Sequence, residues 1–164
     1  MRNGSQRTRK KASDRSSLMH VGRRVDYAIR ALAYLAAQPP DKVISKTVIE
    51  KKQDIPPYYL SKIMKDLVVG GLVHSQAGCR GGFSLARSAS AISIKDVYEA
   101  VESRLILMEC LEKKENYCQY CAVCTQFSIW EKAQNLLTNY LAGISIGHIA
   151  DPSGLKERLV HLQI

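Results

Sequence analysis

The residues most able to do chemistry in this chain are its five cysteines, four of which crowd between Cys110 and Cys124. Their spacing is Cys110-x7-Cys118-x2-Cys121-x2-Cys124, and Cys79 stands apart. A reducing compartment disfavours structural disulfides, so clustered thiols there point to a metal or redox site. Soft thiolates match the irons of an iron–sulfur cluster, and the Cys118-x2-Cys121-x2-Cys124 run copies a ferredoxin-type triplet. Four thiolates are also an ordinary zinc set, and thiols can sense oxidation with no metal at all. The four histidines, His20, His74, His148 and His161, share no spacing that suggests a site. No nucleophile–base set, phosphate-binding loop or zinc-hydrolase helix is present, so an enzyme is not expected.

Charge narrows the partners. The chain has 164 residues, is 46% hydrophobic and carries a formal net charge of +9. Such a balance can bury a core and favours an anionic partner, either nucleic acid or a membrane surface. No apolar run is long enough to span a bilayer, and the basic stretch Arg2 to Arg15 is not followed by an apolar segment like that of a signal peptide. A cytoplasmic protein is expected. Residues 1–18 hold six Lys or Arg and one Asp with no apolar periodicity, which reads as a disordered basic tail able to add phosphate contacts.

The elements that would position these groups follow from periodicity. Val25, Ala28, Ile29, Leu32, Ala33, Leu35 and Ala36 recur at helical spacing between Arg23 and Gln38, and Pro39-Pro40 ends that helix. Ser45 is an N-cap for a short helix reaching about Lys52. A second helix is expected from Pro57 to Val69, with Leu60, Ile63, Met64, Leu67 and Val68 inward and Gly70-Gly71 closing it. Strands at Leu72–Ser75 and Phe83–Ala86 make a β-hairpin around a glycine-containing tip. Ser93-Ile94-Lys95-Asp96 is a capping-box pattern opening a helix to about Glu102. A long helix from Thr125 to Ala142 carries the stripe Phe127, Trp130, Ala133, Leu137 and Leu141, near heptad spacing. Ser145 to Ile149 adds one short helical turn.

Two short helices, a turn and a hairpin in a basic chain describe a winged helix-turn-helix. The fold class is mainly α with a small β-hairpin, extended by a long dimerisation helix. The second helix would enter the major groove and present Pro57, Tyr58, Tyr59, Ser61, Lys62 and Lys65. Arg80 at the wing tip would reach the backbone or minor groove. The alternatives are that one tyrosine packs in the core and that the lysines are ordinary solvated charges.

With those residues in view the sequence resembles the Rrf-two family of bacterial winged-helix regulators, over roughly residues 19 to 150. The matching stretches are Val25-Asp26-Tyr27-Ala28-Ile29-Arg30-Ala31-Leu32, Ile55-Pro56-Pro57-Tyr58-Tyr59-Leu60 and Gly70-Gly71-Leu72-Val73. Further matches are the wing Gly78-Cys79-Arg80-Gly81-Gly82-Phe83, Ile92-Ser93-Ile94-Lys95-Asp96-Val97, and Cys124 with Trp130 six residues on. Two departures stand out: Ala77 replaces an arginine common before the first wing glycine, and Cys79 sits where relatives often have proline. Cys79 therefore reads as a wing residue.

The resemblance implies an iron–sulfur cluster, 4Fe–4S rather than 2Fe–2S, held by Cys110, Cys118 and Cys124. The spacing is nearer to the RirA and NsrR branches than to the IscR branch. The histidine that closes the site in IscR-like chains is Phe127 here. Cys121 and Asp26 remain as fourth ligands; an aspartate at this point of the first helix serves NsrR-like members, and Asp26 could equally be a solvated or salt-bridged acid. The function implied is a DNA-binding transcriptional repressor sensing iron, nitric oxide or redox status. It would act as a homodimer on an inverted repeat of double-stranded DNA, away from any membrane. The competing functions are an iron–sulfur electron-transfer protein and a zinc- or thiol-based regulator. The domain organisation expected is a tail (1–18), a winged helix-turn-helix (19–104), a cysteine loop (105–124), a dimerisation helix region (125–150) and a C-terminal tail (151–164).

Overall fold

The structure is a computed structural model, and it describes residues 21–113, 120, 123–151 and 153. The first helix, α1 (Arg23–Ala36), is at the centre of the fold because its apolar residues recur on one side. Val25, Ala28, Ala31, Leu32 and Leu35 are buried, and α1 packs against four other helices and the hairpin. Ala31 joins this face, although the sequence pattern did not single it out.

Next comes the helix-turn-helix. α2 (Lys46–Gln53) buries Ile49 and ends at Asp54, which adopts the left-handed conformation with φ 50°. The N–H of Asp54 bonds back to Glu50 O, and the chain then drops Ile55 into the core. α3 (Pro57–Val69) begins with proline at its first position, where no intrahelical N–H partner is lost. Leu60, Ile63, Met64 and Leu67 are buried. Val68, expected inward, is 36% exposed because it lies off that face. α3 terminates in a Schellman turn. Leu72 N–H bonds Leu67 O at 2.9 Å and Gly71 N–H bonds Val68 O at 3.0 Å, with Gly71 at φ +67°.

The hairpin pairs β1 (Val73–Gln76) with β2 (Gly82–Leu85) in antiparallel register, Val73 opposite Leu85 and Gln76 opposite Gly82. Ile44 adds a bridge: its N–H and C=O both bond Phe83 at 2.9 Å. A Cβ on Gly82 would lie 2.2 Å from Ile44 O, so only glycine lets the two backbones approach this closely.

α4 (Ile94–Glu102) opens with the expected capping box. Asp96 N–H bonds Ser93 Oγ at 3.1 Å, and Ser93 N–H bonds Asp96 Oδ2 at 3.0 Å. A short α5 (Glu109–Lys113) follows, then α6 (Phe127–Gly143) and α7 (Ile146–Ala150). The segment expected as a cysteine loop (105–124) thus contains a short helix at Glu109–Lys113, on which Cys110 stands. After α6 the chain returns to the head. Ile94 N–H bonds Ile144 O and Ile146 N–H bonds Ile92 O, both at 2.8 Å. Ile144 and Ile146 are buried in the same core as α1 and α4.

Candidate nucleic-acid interface and cysteine centre

One face of α3 is consumed by the core, and helical geometry leaves the other for a partner. Pro57, Tyr58, Tyr59, Ser61, Lys62 and Lys65 are all exposed on it, so the structure brings together every residue expected on this helix. Neither tyrosine enters the core; Tyr58 is 66% and Tyr59 41% exposed. They are ordered by aromatic contacts instead. Tyr59 meets Tyr27 edge-on with ring centroids 5.8 Å apart, and Tyr58 meets Tyr59 at 6.0 Å. Lys62 Nζ lies 4.5 Å from the centre of the Tyr58 ring, a cation–π contact that holds the ammonium beside the helix start.

Other elements support this surface. Arg24 on α1 donates to Asp66 Oδ2 on α3 at 2.7 Å and lies 3.8 Å from Glu102 on α4, tying three helices together. Arg30 donates to the carbonyl of Gln53 at the end of α2. From α2, Lys46 Nζ donates to Ser61 Oγ at 2.7 Å. That bond spans fifteen positions, and no local pattern in the sequence announces it. Arg80 is exposed at the wing tip between β1 and β2, next to the exposed thiol of Cys79.

Of the four clustered cysteines, Cys110 and Cys124 lie among the described residues and Cys118 and Cys121 lie outside them. Both described thiols are free of disulfides; Cys110 is half-buried on α5 and Cys124 is exposed just before α6. α5 packs against α6, so the helix that carries Cys110 touches the helix that Cys124 precedes. Asp26 is an exposed acid on α1, 3.7 Å from Arg30. Among the described residues, no three Cys, His, Asp or Glu side chains are grouped to hold a metal ion.

Two connections join α6 to the head. Gln134 grips the linker after α4: its Nε2 donates to Leu105 O at 2.6 Å, and Leu107 N–H donates to its Oε1 at 2.8 Å. At the other end, Ser145 and His148 form a capping box for α7, with His148 Nδ1 accepting from Ser145 N–H at 3.1 Å. His148 therefore has a structural task that histidine spacing could not reveal, since its ring nitrogen accepts from a backbone N–H.

Residues 21–152 match the family described as Rrf2, iron-dependent transcriptional regulator. The chain belongs to the Rrf2 family. One relative is the HTH-type transcriptional regulator NsrR of Halalkalibacterium halodurans, 34% identical over 71% of this chain and 77% of its own length. The fold recurs in the solved structure of CymR, the global cysteine regulator of B. subtilis, at TM-score 0.61 and 19% identity. That match covers 81% of this chain and 97% of CymR. It recurs again in T. potens IscR at TM-score 0.60 and 23% identity, over 89% and 92% of the two chains. This Rrf2 protein is accordingly a helix-turn-helix transcription regulator that works by binding DNA, not by catalysis. No helix among its described residues is long and apolar enough to cross a membrane.

Proposed function

We propose that this Rrf2 regulator is a cytoplasmic homodimeric repressor whose grip on DNA responds to iron, nitric oxide or redox status through a 4Fe–4S cluster. The observation that carries the reading is the match to an iron-dependent regulator family in a chain that supplies four clustered thiols. The donor chemistry fits: soft, anionic sulfur suits iron, and the segment that supplies it runs from α5 to the start of α6, two helices that touch. Cys110, Cys118 and Cys124 would hold it, with Asp26 of the partner subunit as the fourth ligand and Cys121 as the alternative. When bound, such a cluster supplies a group that is damaged by oxygen or nitric oxide and lost when iron is scarce.

The chain's own residues would relay that change. Cys124 lies just before α6 and Cys110 stands on α5, which packs against α6, while Gln134 and the Ile144–Ile146 segment tie α6 to the head. A shift in α6 would then move the head, and with it Pro57, Tyr58, Tyr59, Ser61, Lys62, Lys65 and Arg80 on the DNA. The functional units are the tail (1–18), head (19–104), cysteine segment (105–124), dimerisation region (125–150) and C-terminal tail (151–164). Two heads would read an inverted repeat with half-sites roughly 34 Å apart.

Anaerobic purification followed by absorption spectroscopy and native mass spectrometry tests cofactor and dimer together. The expected result is a dimer carrying four iron and four sulfide per cluster, in line with the type proposed. Zinc in place of iron, or metal-free protein, would overturn the cluster. Asp26→Ala is expected to leave a cluster that degrades faster, with Cys121→Ala nearly silent. The reverse pattern would make the site a four-cysteine one.

A further inference from the structure

Lys46 occupies a position that helix formation alone does not favour. It is the first residue of α2, where the helix dipole opposes a positive charge, and the first turn has neither an acidic residue nor a side-chain cap. Its ammonium is nevertheless held in place by two groups. Nζ donates to Ser61 Oγ on α3 at 2.7 Å, and Glu50 Oε1 lies 3.4 Å away. The Glu50 side chain is only 13% exposed, and its buried Oε1 receives no hydrogen bond among the described residues. A buried carboxylate needs a charge partner, so Glu50 fixes where the ammonium sits.

The protons are then assigned by geometry. Ser61 spends its single proton on Pro57 O at 2.8 Å and accepts from Lys46, so what it can offer a partner is a lone pair. Lys46 has three N–H groups; one is given to Ser61, the ammonium is ion-paired with Glu50 without a hydrogen bond to it, and the side chain is 42% exposed, which leaves N–H groups for the solvent side. An outward donor and an outward acceptor therefore sit side by side at the junction of α2 and α3. In the major groove, adenine presents the complementary pair, the N7 acceptor beside the N6 amino donor, whereas guanine presents two acceptors.

We propose that Lys46 and Ser61 together read an adenine edge in each half-site, with Glu50 as the positioning residue. The inference rests on α3 being the helix that enters the major groove. Lys46 is then a specificity-determining residue on the helix that precedes the recognition helix.

The test uses the full-length protein and duplexes enriched by it from a random-sequence pool. The enriched sites should share an adenine whose change to guanine lowers wild-type affinity about tenfold. Lys46→Gln and Ser61→Ala should each relax that one preference while the other positions stay selective, and Lys46→Arg should restore a preference at the same position. Glu50→Gln should weaken the discrimination with little change in affinity for unselected duplex. A Lys46 that only braces α2 against α3 would lower affinity for all duplexes alike and leave the ratio unchanged, which overturns the proposal. So does relaxation of different positions by Lys46→Gln and Ser61→Ala. Lys62→Ala and Lys65→Ala separate the underlying reading. If they reduce the salt dependence of binding while Lys46→Gln and Ser61→Ala leave the base preference intact, only the adenine contact fails. If no variant on α3 changes binding, α3 is not the reading helix and both readings fall.

Discussion

Helices α1 and α6 are of similar length, 14 and 17 residues, and both carry apolar residues at helical spacing. α1 nevertheless buries five side chains, whereas α6 buries none of its described ones. α1 is enclosed by α2, α3, α4, α7 and the hairpin; α6 lies mainly on α4 and α5. Leu141 and Tyr140 touch the core from its edge. Ile129 and Leu136, one heptad apart, remain 64% and 50% exposed. The head thus closes its core from within one chain, while α6 leaves apolar side chains exposed among the described residues. Ile129 and Leu136 lie apart from the stripe Phe127, Trp130, Ala133, Leu137 and Leu141, whose side chains are half-buried.

Truncations are the sharpest way to break this comparison. Leu32→Ala, at a fully buried site of the head, should cost about 2–5 kcal/mol in denaturant unfolding. Leu136→Ala, measured at concentrations that favour the monomer, should fall within about 0.5 kcal/mol of the parent. Equal costs would mean that α6 belongs to the same core.

Joint replacement of Ile129 and Leu136 by Asp tests whether this exposed face joins two copies of the chain. Self-association in sedimentation should weaken by about 100-fold, roughly 2.7 kcal/mol, with the unfolding of the head little changed. A dimer that persists would place the contact on another face.

Removing the Ser93 hydroxyl should cost about 1 kcal/mol, since Ser93→Ala frees the Asp96 N–H at the start of α4. The Ile92–Ile94 segment it caps also receives the returning chain at Ile144 and Ile146. Hydrogen exchange should therefore rise at Ile146 as well as in α4; a rise limited to α4 would show that the two are uncoupled.

The smallest effect is expected at Cys79, an exposed wing thiol away from the other four in sequence. Cys79→Ser should change stability by less than about 0.5 kcal/mol and leave iron content unaltered. Loss of iron in this variant would enlarge the ligand set to include the wing.

The sequence by itself determined the local elements of this protein, because the signals that define them are short-range. The α3 boundaries followed from Pro57 and Gly70-Gly71, the α4 capping box from Ser93 and Asp96, and the outward α3 stripe from the spacing of Leu60, Ile63, Met64 and Leu67. The cluster of thiols was equally legible as a spacing, although Cys118 and Cys121 fall outside the described residues. Only the tertiary structure decided what joins distant positions. Lys46 reaches Ser61 across fifteen residues, Gln134 reaches Leu105 across twenty-nine, and Ile144 closes onto Ile94. Hydrogen bonds of this kind depend on how whole elements pack, and packing is set by the shared core around α1. No periodicity or cap within one element records which partner its polar groups will meet.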